Sequence, residues 1–143
     1  MSRNVSAIFL AALLAVTAVA VFSGCSDNGQ VQTSSSGLAE QTREDGEVTV
    51  KVTPQSLGDG EPWTFKVVFD THTVDLSQDP AQISVLFADG KEYVPLAWEG
   101  DPSGGHHRAG TLKFSTISPR PKNVELTIKG VGGTDRSFSW TLN

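Results

Sequence analysis

Sulfur is nearly absent from this chain. Its 143 residues contain one cysteine, Cys25, and one methionine, Met1. A lone cysteine closes no internal disulfide, so apolar burial must hold the fold together. It also removes thiolate metal centres, blue copper among them. Without an internal methionine there is no thioether site for copper(I). Basic charge is scarce too: 11 Lys and Arg stand against 16 Asp and Glu. An acidic surface is a poor match for nucleic acid or an anionic membrane face. No CxxC or HExxH spacing occurs, no GxSxG nucleophile turn, and no glycine loop leading into a phosphate-binding helix. Ser103, His106 and Asp75 can be grouped as a triad, but any small protein offers such a set. Beyond the N-terminus no stretch has helical periodicity.

Long apolar runs are confined to the start of the chain. Arg3 is the sole charge ahead of the run from Ala7 to Phe22. A spanning helix needs about 20 apolar residues, so this run is short for a permanent anchor. A basic start, a compact apolar centre and the small residues Ser23 and Gly24 describe a secretory signal. Phe22-Ser23-Gly24-Cys25 resembles the lipobox of prokaryotic lipoproteins. The resemblance implies a signal peptide over residues 1–24 and acylation of Cys25, palmitate included. It further implies a protein of the cell envelope or periplasm, held on a membrane through that residue. Ser26, where an aspartate would signal retention, resembles the outer-membrane sorting pattern of diderm bacteria. In other envelopes the anchor implies the outer face of the plasma membrane. Without residues 1–24, ten cations face sixteen anions, a net charge of about −6.

Residues 25–46 read as the lipidated cysteine and a flexible linker centred on Ser34-Ser35-Ser36-Gly37. Val31 and Leu38 are too isolated to form an apolar face. From Glu47 the pattern changes to period-2 alternation. Val48, Val50 and Val52 form one apolar row, and Trp63, Phe65, Val67 and Phe69 another. Ile83, Val85 and Phe87 follow, then Val94, Leu96 and Trp98. Leu112 and Phe114, Val124, Leu126 and Ile128, and Phe138, Trp140 and Leu142 complete the set. Asp89-Gly90 is a two-residue hairpin signal. Residues 54–62 read as a long loop, and Pro119-Arg120-Pro121 interrupts pairing. The expectation over residues 47–143 is all-β: one immunoglobulin-like antiparallel β-sandwich of about seven strands. The three tryptophans are expected in its core, with Tyr93 and Val68 on the outer rows.

The three histidines fall in two loop regions. His72 follows a strand in Asp70-Thr71-His72-Thr73-Val74-Asp75, and His106 and His107 precede one in Gly104-Gly105-His106-His107-Arg108. Imidazole is a common metal ligand and carboxylates are frequent companions. His72, His106 and His107 with Asp70 and Asp75 are therefore a candidate set for copper(II) or zinc, with Glu99 and Asp101 in reserve. If His106 and His107 are both extended they point to opposite sides, so only one faces His72 unless Gly104 and Gly105 kink the chain. His72, His106, His107 and Arg108 are equally candidates for an ordinary ligand surface. The bland alternative is solvated loop histidines, with Arg108 paired to Glu99 or Asp101.

Thr71-His72-Thr73-Val74-Asp75-Leu76, together with Trp98-Glu99-Gly100 and the segment from Gly104 to Gly110, is similar to a set of exported bacterial and archaeal domains. That resemblance implies an extracytoplasmic all-β domain and carries over no catalytic role. The function expected is a non-enzymatic, lipid-anchored binding or interaction module without a cofactor. Its partners would be the membrane through Cys25 and an envelope protein or small ligand. The alternative is a lipoprotein that binds copper(II) or zinc.

Overall fold

Alternation becomes two antiparallel sheets in the computed structural model, which describes residues 38–143. The expected signal peptide, Cys25 and the linker up to residue 37 lie outside the described residues. The elements in chain order are β1 (Gln41–Arg43), β2 (Val48–Ser56), β3 (Trp63–Thr71), α1 (Pro80–Ile83) and β4 (Ser84–Ala88). They continue with β5 (Lys91–Tyr93), β6 (Ala97–Gly100), β7 (His107–Phe114), β8 (Asn123–Val131) and β9 (Thr134–Thr141). One sheet has the order β1-β2-β3-β7-β6 and the other β5-β4-β8-β9. Lettered A, B, C, C′, D, E, F, G, strands β2 to β9 give A-B-E-D facing C′-C-F-G. That is an immunoglobulin-like sandwich.

The inward rows interlock between the sheets. Val48, Val50, Val52, Trp63, Phe65 and Val67 from one side meet Leu126, Ile128 and Phe138 from the other, all without solvent exposure. Phe65 packs edge-on against Phe114 with centroids 5.8 Å apart, and lies 5.7 Å from the ring of Trp140. Such pairs add directional contacts to plain area burial. Trp63 and Trp140 are core residues, as expected; Trp98 is only half-buried.

Several expectations are corrected. The fold begins inside the expected linker: β1 pairs with β2, matching Gln41 with Val52 and Arg43 with Val50. The Trp140 indole N–H donates to the Ala39 carbonyl at 2.8 Å, and Arg43 stacks over Phe138. A three-residue strand is too short to display alternation. The β2 strand runs on through Pro54 to Ser56, shortening the expected loop.

Of the expected row Ile83, Val85, Phe87, Val85 is buried, but the residues that join the main core sit one position later. Ile83 ends α1, a single turn capped by Asp79, whose carboxylate accepts from the Ala81 N–H at 2.9 Å. Leu86 and Ala88 join the core instead, opposite Leu126 and Val124. An unbroken apolar run has no polar partner to mark its parity. The Asp89-Gly90 turn does form, with both residues at positive φ (45° and 83°), and it ties Ala88 to Lys91.

The expected strand from Val94 to Trp98 splits at Pro95. The chain leaves one sheet at Tyr93 and enters the other at Ala97. Proline donates no ladder bond, so the crossing falls where pairing is already broken. Val94 and Leu96 are not core residues: they are 65% and 68% exposed. Tyr93, expected outside, packs partly against the core, and Val68 is half-buried.

Candidate functional site

Antiparallel pairing of β3 with β7 brings both histidine loops to one end of the sandwich. Asp70 stands opposite His107, and the Thr71 N–H donates to the His106 carbonyl at 2.9 Å. Below that point the two loops are laced together. The Leu76 N–H donates to Gly105 O at 3.0 Å and the Gly104 N–H returns the bond to Leu76 O at 2.9 Å. Asp75 Oδ1 accepts from the Gly105 N–H at 2.9 Å, and Ser103 Oγ donates to Ser77 O at 2.7 Å. Gly104 and Gly105 hold positive φ values of 101° and 80°, a conformation that costs glycine little.

Arg108 is the bolt beneath this lacing. It lies on the inward row of β7 with Leu112 and is 4% exposed. Its Nη1 donates to the carbonyls of Leu76 at 2.8 Å and Gln78 at 2.6 Å, and its Nη2 to the carbonyl of Asp101 at 3.2 Å. The guanidinium also lies over the Trp98 ring. Expected either on a ligand surface or, in the bland alternative, paired with Glu99 or Asp101, it is turned inward instead. Glu99 pairs with Lys113 at 2.7 Å, and the Asp101 carboxylate accepts from the Ala109 N–H. Arg136 on β9 follows the same plan. It is 2% exposed and donates to the carbonyls of Val131, Thr134, Asp45 and Val48. Burial pushes its guanidinium below the ordinary arginine range, partly offset by Asp45. Parity was the overlooked signal: each arginine is an even number of residues from apolar inward neighbours.

Most of the polar residues in these two loops therefore serve the fold. Thr71 Oγ1 donates to Glu47 O and accepts from the N–H groups of Thr73 and Val74. Gly100 and Gly110 face each other across β6 and β7, leaving room for the Trp98 ring. What the fold does not consume is imidazole. His72, His106 and His107 are all exposed. They border a shallow depression with Glu47, Thr49 and Asp70, where His107 Nδ1 meets Asp70 Oδ1 at 2.5 Å. Of the candidate metal set, the geometry joins Asp70 to His107 and commits Asp75 to a backbone N–H. Among the described residues no group of three His, Cys, Asp or Glu side chains is placed to hold a metal ion.

A second surface lies beside β6. Leu96, Ala97 and Trp98 line an open trough together with Ser77, Asp79, Ala81, Asp101 and Arg108. The Trp98 indole N–H donates to the Asp101 carbonyl at 3.1 Å, which fixes the ring in that lining. Away from both surfaces, the Asp89 carboxylate accepts the Lys122 and Asn123 N–H groups at 3.0 Å and is thereby held below its ordinary range.

No protein-family model, curated protein or solved structure matches the chain, which leaves the geometry as the guide to function.

Proposed function

We propose that the protein is a lipid-anchored binding module of the cell envelope, without catalytic activity, held outside the cytoplasm through Cys25. The observation that carries the binding half is the exposure of Val94 and Leu96. Two large aliphatic side chains stand in water, Leu96 sharing the trough with the half-buried Trp98, on a sandwich that does not need them for its core. Exposed apolar surface of that kind, rimmed by polar residues, marks interaction sites. The anchoring half rests on the Phe22-Ser23-Gly24-Cys25 tetrapeptide. No helix among the described residues is long and apolar enough to cross a membrane.

Fractionation of expressing cells tests the anchor. Wild-type protein should sediment with membranes and carry acyl mass at residue 25, while Cys25→Ala should move to the soluble extracytoplasmic fraction. An unmodified thiol on the wild type would defeat the reading.

Metal handling is the second reading, favoured by His72, His106, His107 and Asp70 bordering one depression. Calorimetric titration of the mature chain with zinc and copper(II) separates it from the first. Sub-micromolar binding that is lost in His72→Ala would establish it; no heat and no thermal shift would remove it.

A further inference from the structure

The two seams of the sandwich are closed differently. On one side residues 39–43 strap the β1 edge to β9: Ala39 receives the Trp140 indole N–H, and Gln41 Nε2 donates to Ser139 O at 2.5 Å. On the other side, between the β5 and β6 edges, only residues 94–96 cross, and Val94 and Leu96 face outward. The β6 strand ends its sheet, so the side of its backbone turned from β7 has no strand partner. Sheet proteins usually guard such an edge with free lysines, bulges or a cover. β6 carries one charged side chain, Glu99, and that is occupied by Lys113.

Charge selects the occupant. Asp79 and Asp101 lie on the trough beside β6. Each accepts a backbone N–H of its own neighbourhood, and neither has a cationic side-chain partner among the described residues. Arg108, which also lines the trough, is 4% exposed and spends its Nη donors on main-chain carbonyls. A free strand edge, an apolar wall and two carboxylates without an ion-pair partner match an extended chain with alternating apolar and basic side chains. Strand addition supplies affinity through the main chain and specificity through alternate side chains.

We propose that the β6 edge, with Leu96 and Trp98 as its apolar wall and Asp79 and Asp101 as its charged rim, receives an extended basic-apolar segment of a partner protein. This rests on the reading of the domain as a binding module and names its surface and the kind of partner it takes.

The test is an amide-resolved NMR titration of the ¹⁵N-labelled mature chain bearing Cys25→Ala. The probe is a capped peptide of alternating lysine and valine, with a glutamate-valine peptide as control. Saturable shifts are expected at the amides of residues 96–101 and at the Trp98 indole N–H for the lysine peptide alone. Asp79→Asn and Asp101→Asn keep an acceptor while removing charge. Each should weaken binding by about two- to five-fold, as for exposed ion pairs. Leu96→Ser removes exposed apolar surface, should leave the remaining spectrum in place, and should weaken binding further. Equal binding of the glutamate peptide, or no shifts at β6, would overturn the proposal. So would concentration-dependent shifts at β6 without peptide, accompanied by a dimer mass, because the occupant would then be a second copy of this chain. Shifts confined to His72, His106 and His107 would overturn this surface and leave the binding module standing. Loss of the lipid at Cys25 would defeat the anchor and leave this surface intact.

Discussion

Arg136 sits two residues before Phe138 and four before Trp140, on the inward side of β9. Its guanidinium meets carbonyl dipoles from the chain ahead of β2, from β2, and from the β8–β9 turn. A planar fork with several donors suits that task, and a lysine ammonium does not. Arg136→Met should therefore cost about 3 kcal/mol, since several buried acceptors lose their donor at once. Arg136→Lys should recover only part of that loss. Urea denaturation of the three proteins gives the comparison; a loss within error of zero would refute the account. Asp89 sets a pH dependence. Its carboxylate is held below the ordinary value of 3.8 by two backbone N–H groups, so it binds protons less readily folded than unfolded. Its contribution is complete above that value and fades as the pH falls through the lower, folded one. Asp89→Asn tolerates the same positive φ. It should lose less stability than the wild type between pH 6 and pH 3, read from urea midpoints at each pH.

Strands with clean alternation, β2, β3, β8 and β9, were legible from residues such as Val48-Val50-Val52, because a one-residue slip would turn the whole apolar row to water. Two kinds of element were not. The run Val85-Leu86-Phe87-Ala88 carries no polar marker, so its parity came from the ladder with β8 rather than from itself. The segment around Pro95 alternates convincingly on paper, yet changes sheets, which makes Val94 and Leu96 surface instead of core. For the site, the sequence pattern marked both histidine loops but left open whether they share an end, which the pairing of β3 with β7 decides. It missed the inward turn of Arg108, because an arginine beside two histidines reads as surface chemistry until its parity with Leu112 is counted. The pairing of β6 with β7 yields its own prediction. A Cβ on Gly110 would lie 2.5 Å from Trp98 Cζ2 and 2.7 Å from Gly100 Cα. Gly110→Ala should thus displace the indole, cost about 1–3 kcal/mol, and shift tryptophan fluorescence to the red. The other two tryptophans are buried, so the change would report on Trp98. An unchanged spectrum with unchanged stability would show that the two strands separate more easily than this packing allows.

At the scale of the whole molecule, the opposite seam governs how the domain bears load. The described chain enters at Leu38, which packs against the core, and its first strand, β1, has three residues. A pull on the chain at Leu38 would meet that short ladder and the Trp140 indole before it reached any long strand. Peeling residues 38–43 would pay out roughly 20 Å of slack while β2 stays zipped to β3. Under a load applied at Leu38, residues 38–43 would act as a mechanical fuse for the sandwich.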